Sequence, residues 1–294
     1  MLLASCSLAL AEYAGTIPGH SVVVYGGPAL TTYQQLSVGT APPGGNLDRA
    51  LQTRLDLYGA WGASDRLQLA AYVPVVYSTV ASYDVNCTEG SDFCAAVAGV
   101  GKAGVQARYR LPVPAVMTTL GLGVSTGAWN AGTRGRYTAV GEATTDLSPA
   151  LFLGRDLAFG SMGAGVVLFG AYDYRLVTYD QAPLPHRAPA DDIRAGLEAK
   201  VSPGIFTLQV GGYLYERLGG LDFTTDIEHY FDTDDRWAVL DYDNVSAGTK
   251  LSVALPHSMG IHLAANRVVW VRNGPPDALD ISVGVHKYWA PKGG

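Results

Sequence analysis

Charge is scarce in this chain. Asp, Glu, Lys and Arg make up 16% of its 294 residues, against about 25% in an average soluble domain. Long hydrophobic runs are missing as well. Apolar residues reach 48%, yet no stretch of about 18 of them lies outside the extreme N-terminus, which excludes a spanning helix. An excess of positive charge is also absent. The net charge of −6 argues against a nucleic-acid binder. No H-E-x-x-H motif occurs, no metal or cofactor is implied, and no enzymatic activity is expected.

Cysteine is nearly absent, with three in all. Cys6 falls in the N-terminal stretch MLLASCSLALA, which reads as the end of a secretory signal. Ala9-Leu10-Ala11 supplies a small-x-small cleavage pattern before Glu12. Leu3-Ala4-Ser5-Cys6 also fits a lipoprotein box, which would lipidate Cys6; ordinary cleavage is the favoured reading. Cys87 and Cys94 flank six residues of one loop. An even pair in an exported loop reads as a disulfide, contributing about 2–3 kcal/mol to local order.

What the chain has in quantity is alternation. Residues 279–289 put Leu279, Ile281, Val283, Val285, Lys287 and Trp289 on one face and Asp280, Ser282, Gly284, His286 and Tyr288 on the other. One such face suits lipid and the other a polar interior. Strands are expected at 21–36, 47–61, 67–80, 99–111, 115–129, 143–154, 158–176, 191–202, 205–217, 241–255, 259–271 and 277–289. Short connections, among them Arg155-Asp156-Leu157, alternate with longer ones. Short turns on the periplasmic side and longer loops outside mark a transmembrane barrel. The 36 Gly and 17 Tyr suit curved strands and interfacial aromatic girdles. Trp61, Tyr109, Tyr288 and Trp289 are the interfacial candidates. The expected fold is all-β: one antiparallel up-and-down barrel of about twelve strands over 12–289, after a signal remnant at 1–11 and before a frayed tail at 290–294. A soluble β-sandwich is the competing fold. It leaves the mid-strand charges unexplained.

The lipid stripes carry no ionisable residue at mid-strand, where Lys or Arg costs about 2–4 kcal/mol. The other face carries many. The lumen and selectivity candidates are Arg54, Asp56, Lys102, Arg108, Arg110, Arg194, Glu198, Lys200, Lys250, His262, Asp280 and His286. Either they fill a narrow barrel with ion pairs, or they line a hydrated channel and set its selectivity. Arg108 and Arg110, with Lys102 nearby, make one strand basic and favour carboxylate or phosphate solutes. Glu198 with Lys200, and Arg54 with Asp56, read as self-paired neighbours. His262 and His286 read as a hydrogen-bonded interior pair. Twelve strands imply a backbone diameter of roughly 24 Å and a bore of about 10 Å. The loop over 218–243 is acidic. Asp232-Thr233-Asp234-Asp235 resembles the start of a calcium loop but lacks its Gly and distal Glu, so a solvated external loop is expected.

Val73-Pro74-Val75, a loop, and then Gly99-Val100-Gly101-Lys102 through Arg108-Tyr109-Arg110-Leu111 resemble a family of bacterial outer-membrane channels linked to the meta-pathway of phenol degradation. Lys102 stands where that family usually has Asp. The resemblance implies an outer-membrane channel passing small molecules, aromatic ones included. The expected function is passive diffusion of small aromatic or anionic molecules. The expected partners are the bilayer, lipopolysaccharide, the barrel-assembly machinery that reads a terminal aromatic strand, and a small solute. Two alternatives stay open: a closed structural or surface barrel, and an outer-membrane hydrolase.

Overall fold

The computed structural model describes residues 16–36, 45–81, 96–127, 129, 144–160, 162–177, 190–220 and 241–290. They form thirteen strands: β1(Val22–Leu36), β2(Gly45–Gly62), β3(Leu67–Ala81), β4(Val97–Val100), β5(Ala103–Leu111), β6(Met117–Thr126), β7(Thr144–Phe159), β8(Met162–Val177), β9(Asp192–Pro203), β10(Phe206–Arg217), β11(Asp243–Leu255), β12(Met259–Arg272) and β13(Leu279–Trp289). Each pairs antiparallel with its neighbours. β1 joins both β2 and β13, and the β2–β3 pairing completes the ring. β4 and β5 share one place beside β3, so the barrel has twelve strand positions. The pair of cysteines and the acidic residues of 221–240 lie outside the described residues.

Alternation sets the two faces. Along β6, Leu120, Leu122 and Val124 point outward and are exposed, while Thr119 and Ser125 point inward and are buried. The same belt continues through Val105, Leu168, Leu197, Val210, Leu251, Leu263 and Val283. An apolar surface that encircles a molecule is a lipid-facing surface. Trp61, Tyr109 and Trp289 stand on this outer face. Tyr288, expected among the interfacial aromatics, turns inward instead, where its hydroxyl meets Ser21 Oγ at 2.8 Å. Strand parity requires this, because Trp289 next to it faces out.

Three places in the sheet differ from expectation. β7 and β8 run on past Arg155-Asp156-Leu157, and the reversal falls between Phe159 and Met162. Gly160 takes φ +62° there, a left-handed conformation that costs glycine nothing. The expected strand at 99–111 is broken into β4 and β5 at Gly101-Lys102, opposite Pro74. In β12, Val269 is an extra residue against β11, between the pairs Ser246–Val268 and Val245–Trp270. Asn266 faces in and Arg267 out by ordinary alternation ahead of the bulge, and the bulge leaves the consecutive Val269 and Trp270 both exposed. By contrast, Gly26-Gly27-Pro28 does not interrupt β1, which pairs with β2 across all three. On the β13 side, however, the ladder skips from Gly26–Val285 to Ala29–Ser282. Proline has no N–H to donate.

Among the described residues the short turns lie at one end, together with the start of β1 and the end of β13; the strand ends that the longer connections join lie at the other. Residues 16–21 fold back at the turn end. Gly19 N donates to Asp65 Oδ1 at 2.9 Å, and Ile17 N donates to Gln68 Oε1 at 3.1 Å.

Candidate functional site: the lumen

The inner face is divided in two. Toward the loop end it carries ion pairs. Asp192 is fully buried and bonds both Arg175 and Arg217, the latter at 2.9 Å. Asp173 accepts from Arg194 Nε at 2.6 Å and from Ser148 Oγ at 2.5 Å. Lys102 pairs with Asp146, and Arg272 with Asp241 at 2.8 Å. Arg194 also lies close enough to Tyr72, from β3, to interact with it electrostatically across the barrel. These charges come from β7, β8, β9, β10 and β12, from Lys102 at the break between β4 and β5, and from Asp241 just before β11.

Toward the turn end lies a cavity of about 500 Å³. Thr16, Ile17 and Pro18 stand at its mouth. Its β2–β3 side presents Arg54, Asp56, Tyr58 and Tyr72; its β9–β13 side presents Lys200, Gln209, Lys250, His262, Asp280 and His286. Arg54 holds both carboxylates, with Nε to Asp56 at 2.7 Å and Nη2 to Asp280 at 3.3 Å. Thr31 Oγ1 donates to the same Asp280 carboxylate at 2.6 Å. Lys200 reaches Asp156 at 3.1 Å.

Glycine builds one corner of this cavity. Tyr25 and His262 stack with centroids 5.1 Å apart and planes inclined by 16°. Both rings lie over Gly284, where a Cβ would fall 2.2 Å from Tyr25 Cε2 and 2.8 Å from His262 Cε1. No side chain other than hydrogen fits beneath them. The Nδ1 of His262 is buried and has no hydrogen-bond partner among the described residues. The expected bond between His262 and His286 is not formed among these residues. The first ring is taken up by Tyr25, and the second packs over Gly260.

Of the twelve lumen candidates, Arg54, Asp56, Lys200, Lys250, His262, Asp280 and His286 meet at this cavity. The others are placed elsewhere on the inner face. Arg108 lies over the Phe152 ring at 4.3 Å and donates to Gln106 Oε1 at 2.7 Å. It packs against an aromatic row of Phe152, Phe169 and Tyr213. Arg110 is half-buried one step nearer the turns. Glu198 accepts from Tyr213 at 2.8 Å and from Gln209. Lys102 and Arg194 belong to the ion-paired half. The tyrosines at 25, 58 and 72 and Gln209 were not among the candidates. Their inward parity was the available signal.

Gly123-Val124-Ser125-Thr126-Gly127 has the G-x-S-x-G spacing of hydrolases. A nucleophile elbow is a sharp strand-to-helix turn, whereas this segment runs along β6, with Ser125 buried. Among the described residues no cluster of His, Cys, Asp and Glu suits a metal ion.

No protein-family model and no curated protein matches the chain. Among solved structures, it is similar to an outer membrane channel from Pseudomonas putida F1, with 13% identity and a TM-score of 0.63 over 95% of this chain and 98% of that one. It is also similar to LpxR from Salmonella typhimurium, with 10% identity and a TM-score of 0.50 over 92% and 100%. At these identities the likeness is one of fold. The fold is that of a single closed outer-membrane type β-barrel.

Proposed function

We propose that the chain is a channel of the Gram-negative outer membrane, passing small molecules through a charged lumen. The observation that carries this reading is the cavity of about 500 Å³, lined by charged and polar side chains, inside a barrel whose outside is apolar. A wall that is polar within and apolar without suits solute passage across lipid. The turn end then faces the periplasm, and the cavity is the periplasmic end of the path. The similar structure from Pseudomonas putida F1 is itself a channel, which supports the reading.

Purified protein in planar bilayers is expected to give discrete conductance steps, and proteoliposomes to swell in small solutes. Silence in both assays overturns the channel. A second reading is favoured by the buried charges around Asp192 and Asp173: a closed barrel whose ion pairs fill the outer half. Under that reading Arg194→Gln lowers stability and leaves permeability at the lipid background. Under the channel reading the same change alters conductance.

A further inference from the structure

We infer that the periplasm-facing cavity is a binding site for small organic carboxylates, seated on Lys250, His262 and His286. The inference rests on the channel reading only in that solutes reach the cavity. Register fixes the three basic side chains together. Lys250 on β11 stands opposite Ala264 on β12, two residues from His262, and His262 stands opposite Gly284 on β13, two residues from His286. Diagonal inward neighbours of this kind lie about 7–8 Å apart. They form a basic stripe across three adjacent strands, and Lys250 is only 7% exposed.

Lys250 supplies the charge of this stripe, and the two imidazoles beside it supply ring nitrogens at the same cavity. The two carboxylates that share the cavity, Asp56 and Asp280, both lie against Arg54 on the β2 side. An incoming carboxylate meets an ammonium and imidazole N–H donors on one wall, with Ser252 and Ser282 between them. The opposite wall offers the faces of Tyr58 and Tyr72, which suit a compact apolar body. A volume of about 500 Å³ falls within the range of small-molecule sites, roughly 300–1,000 Å³. An organic cation meets the stripe with the wrong sign, and a neutral isostere forgoes the charge.

The test uses the full chain folded in detergent micelles, with benzoate as probe and benzamide and benzylammonium as its neutral and cationic counterparts. Calorimetric titration is expected to show saturable benzoate binding at least tenfold tighter than benzamide, with no competition from benzylammonium. Lys250→Met is expected to remove most of that preference. Equal affinity for benzoate and benzamide in the native chain overturns the site, as does an unchanged preference in a folded Lys250→Met. Where Lys250→Met fails to fold, judged by loss of heat-modifiable gel mobility, His286→Gln takes its place. It is expected to reduce the benzoate preference at least threefold, and an undiminished preference overturns the site. Conductance of the same preparation separates the two readings. Conduction without charge preference leaves the channel and removes the site. Charge-selective binding without conduction does the reverse.

Discussion

Asp192 shows what a single side chain does inside this wall. Its carboxylate is buried and meets two guanidinium groups, from Arg175 and Arg217. Removing one partner of a buried ion pair costs about 3–5 kcal/mol, because charge stays behind in a poorly solvating place. Asp192→Ala is therefore expected to lower the unfolding free energy by that amount, read from urea titration in lipid vesicles. A loss below about 1 kcal/mol would mean that water solvates the arginines. Residue-scale relations were only partly legible in the sequence. Arg54 and Asp56 are two apart on one strand, so their pairing follows from parity, and the structure has them at 2.7 Å. Arg108 shares the same parity as Lys250, yet it lies on Phe152, whereas Lys250 faces the cavity. That difference depends on which strands meet across the ring and at what stagger, and parity carries neither.

At the scale of the strand, lipid imposes the rule that made the fold readable. A residue on the outer face meets hydrocarbon, so the stripe must stay apolar along its middle. Leu122 stands at the middle of β6 and is exposed on that face. Leu122→Arg is expected to cost about 2–4 kcal/mol, and the same substitution at Val113, in the turn before β6, no more than about 1 kcal/mol. Equal costs at both positions, measured by unfolding in vesicles, would contradict a bilayer around β6. The twelve strand positions and the alternation of turn and loop followed from this rule. The details that did not follow are those the rule does not govern. Charged Arg155 and Asp156 look like a turn, but near a membrane edge a strand tolerates them, and Asp156 reaches Lys200. The break between β4 and β5 depends on Pro74 lying opposite Gly101, a relation between segments some 27 residues apart. The bulge at Val269 likewise needs its partner strand to be seen.

The whole barrel is asymmetric along its axis. Ion pairs bind strand to strand toward the loop end, and a cavity occupies the turn end. On the proposed channel reading, a through-path has its chemistry of selection in the turn-end half and its resistance in the loop-end half. The ladders of this ring thin out where proline enters them. One such place is where β1, the first strand, meets β13, the last. Their ladder skips Gly27 and Pro28, although β1 stays fully paired with β2 over the same residues. In deuterium exchange, the amide of Val283 is thus expected to label earlier than that of Asp56, the two being those that turn toward β1 from its opposite sides at this place. The zip that closes the cylinder during insertion would fasten last across those two rungs. The lipid annulus would feel the wall yield there.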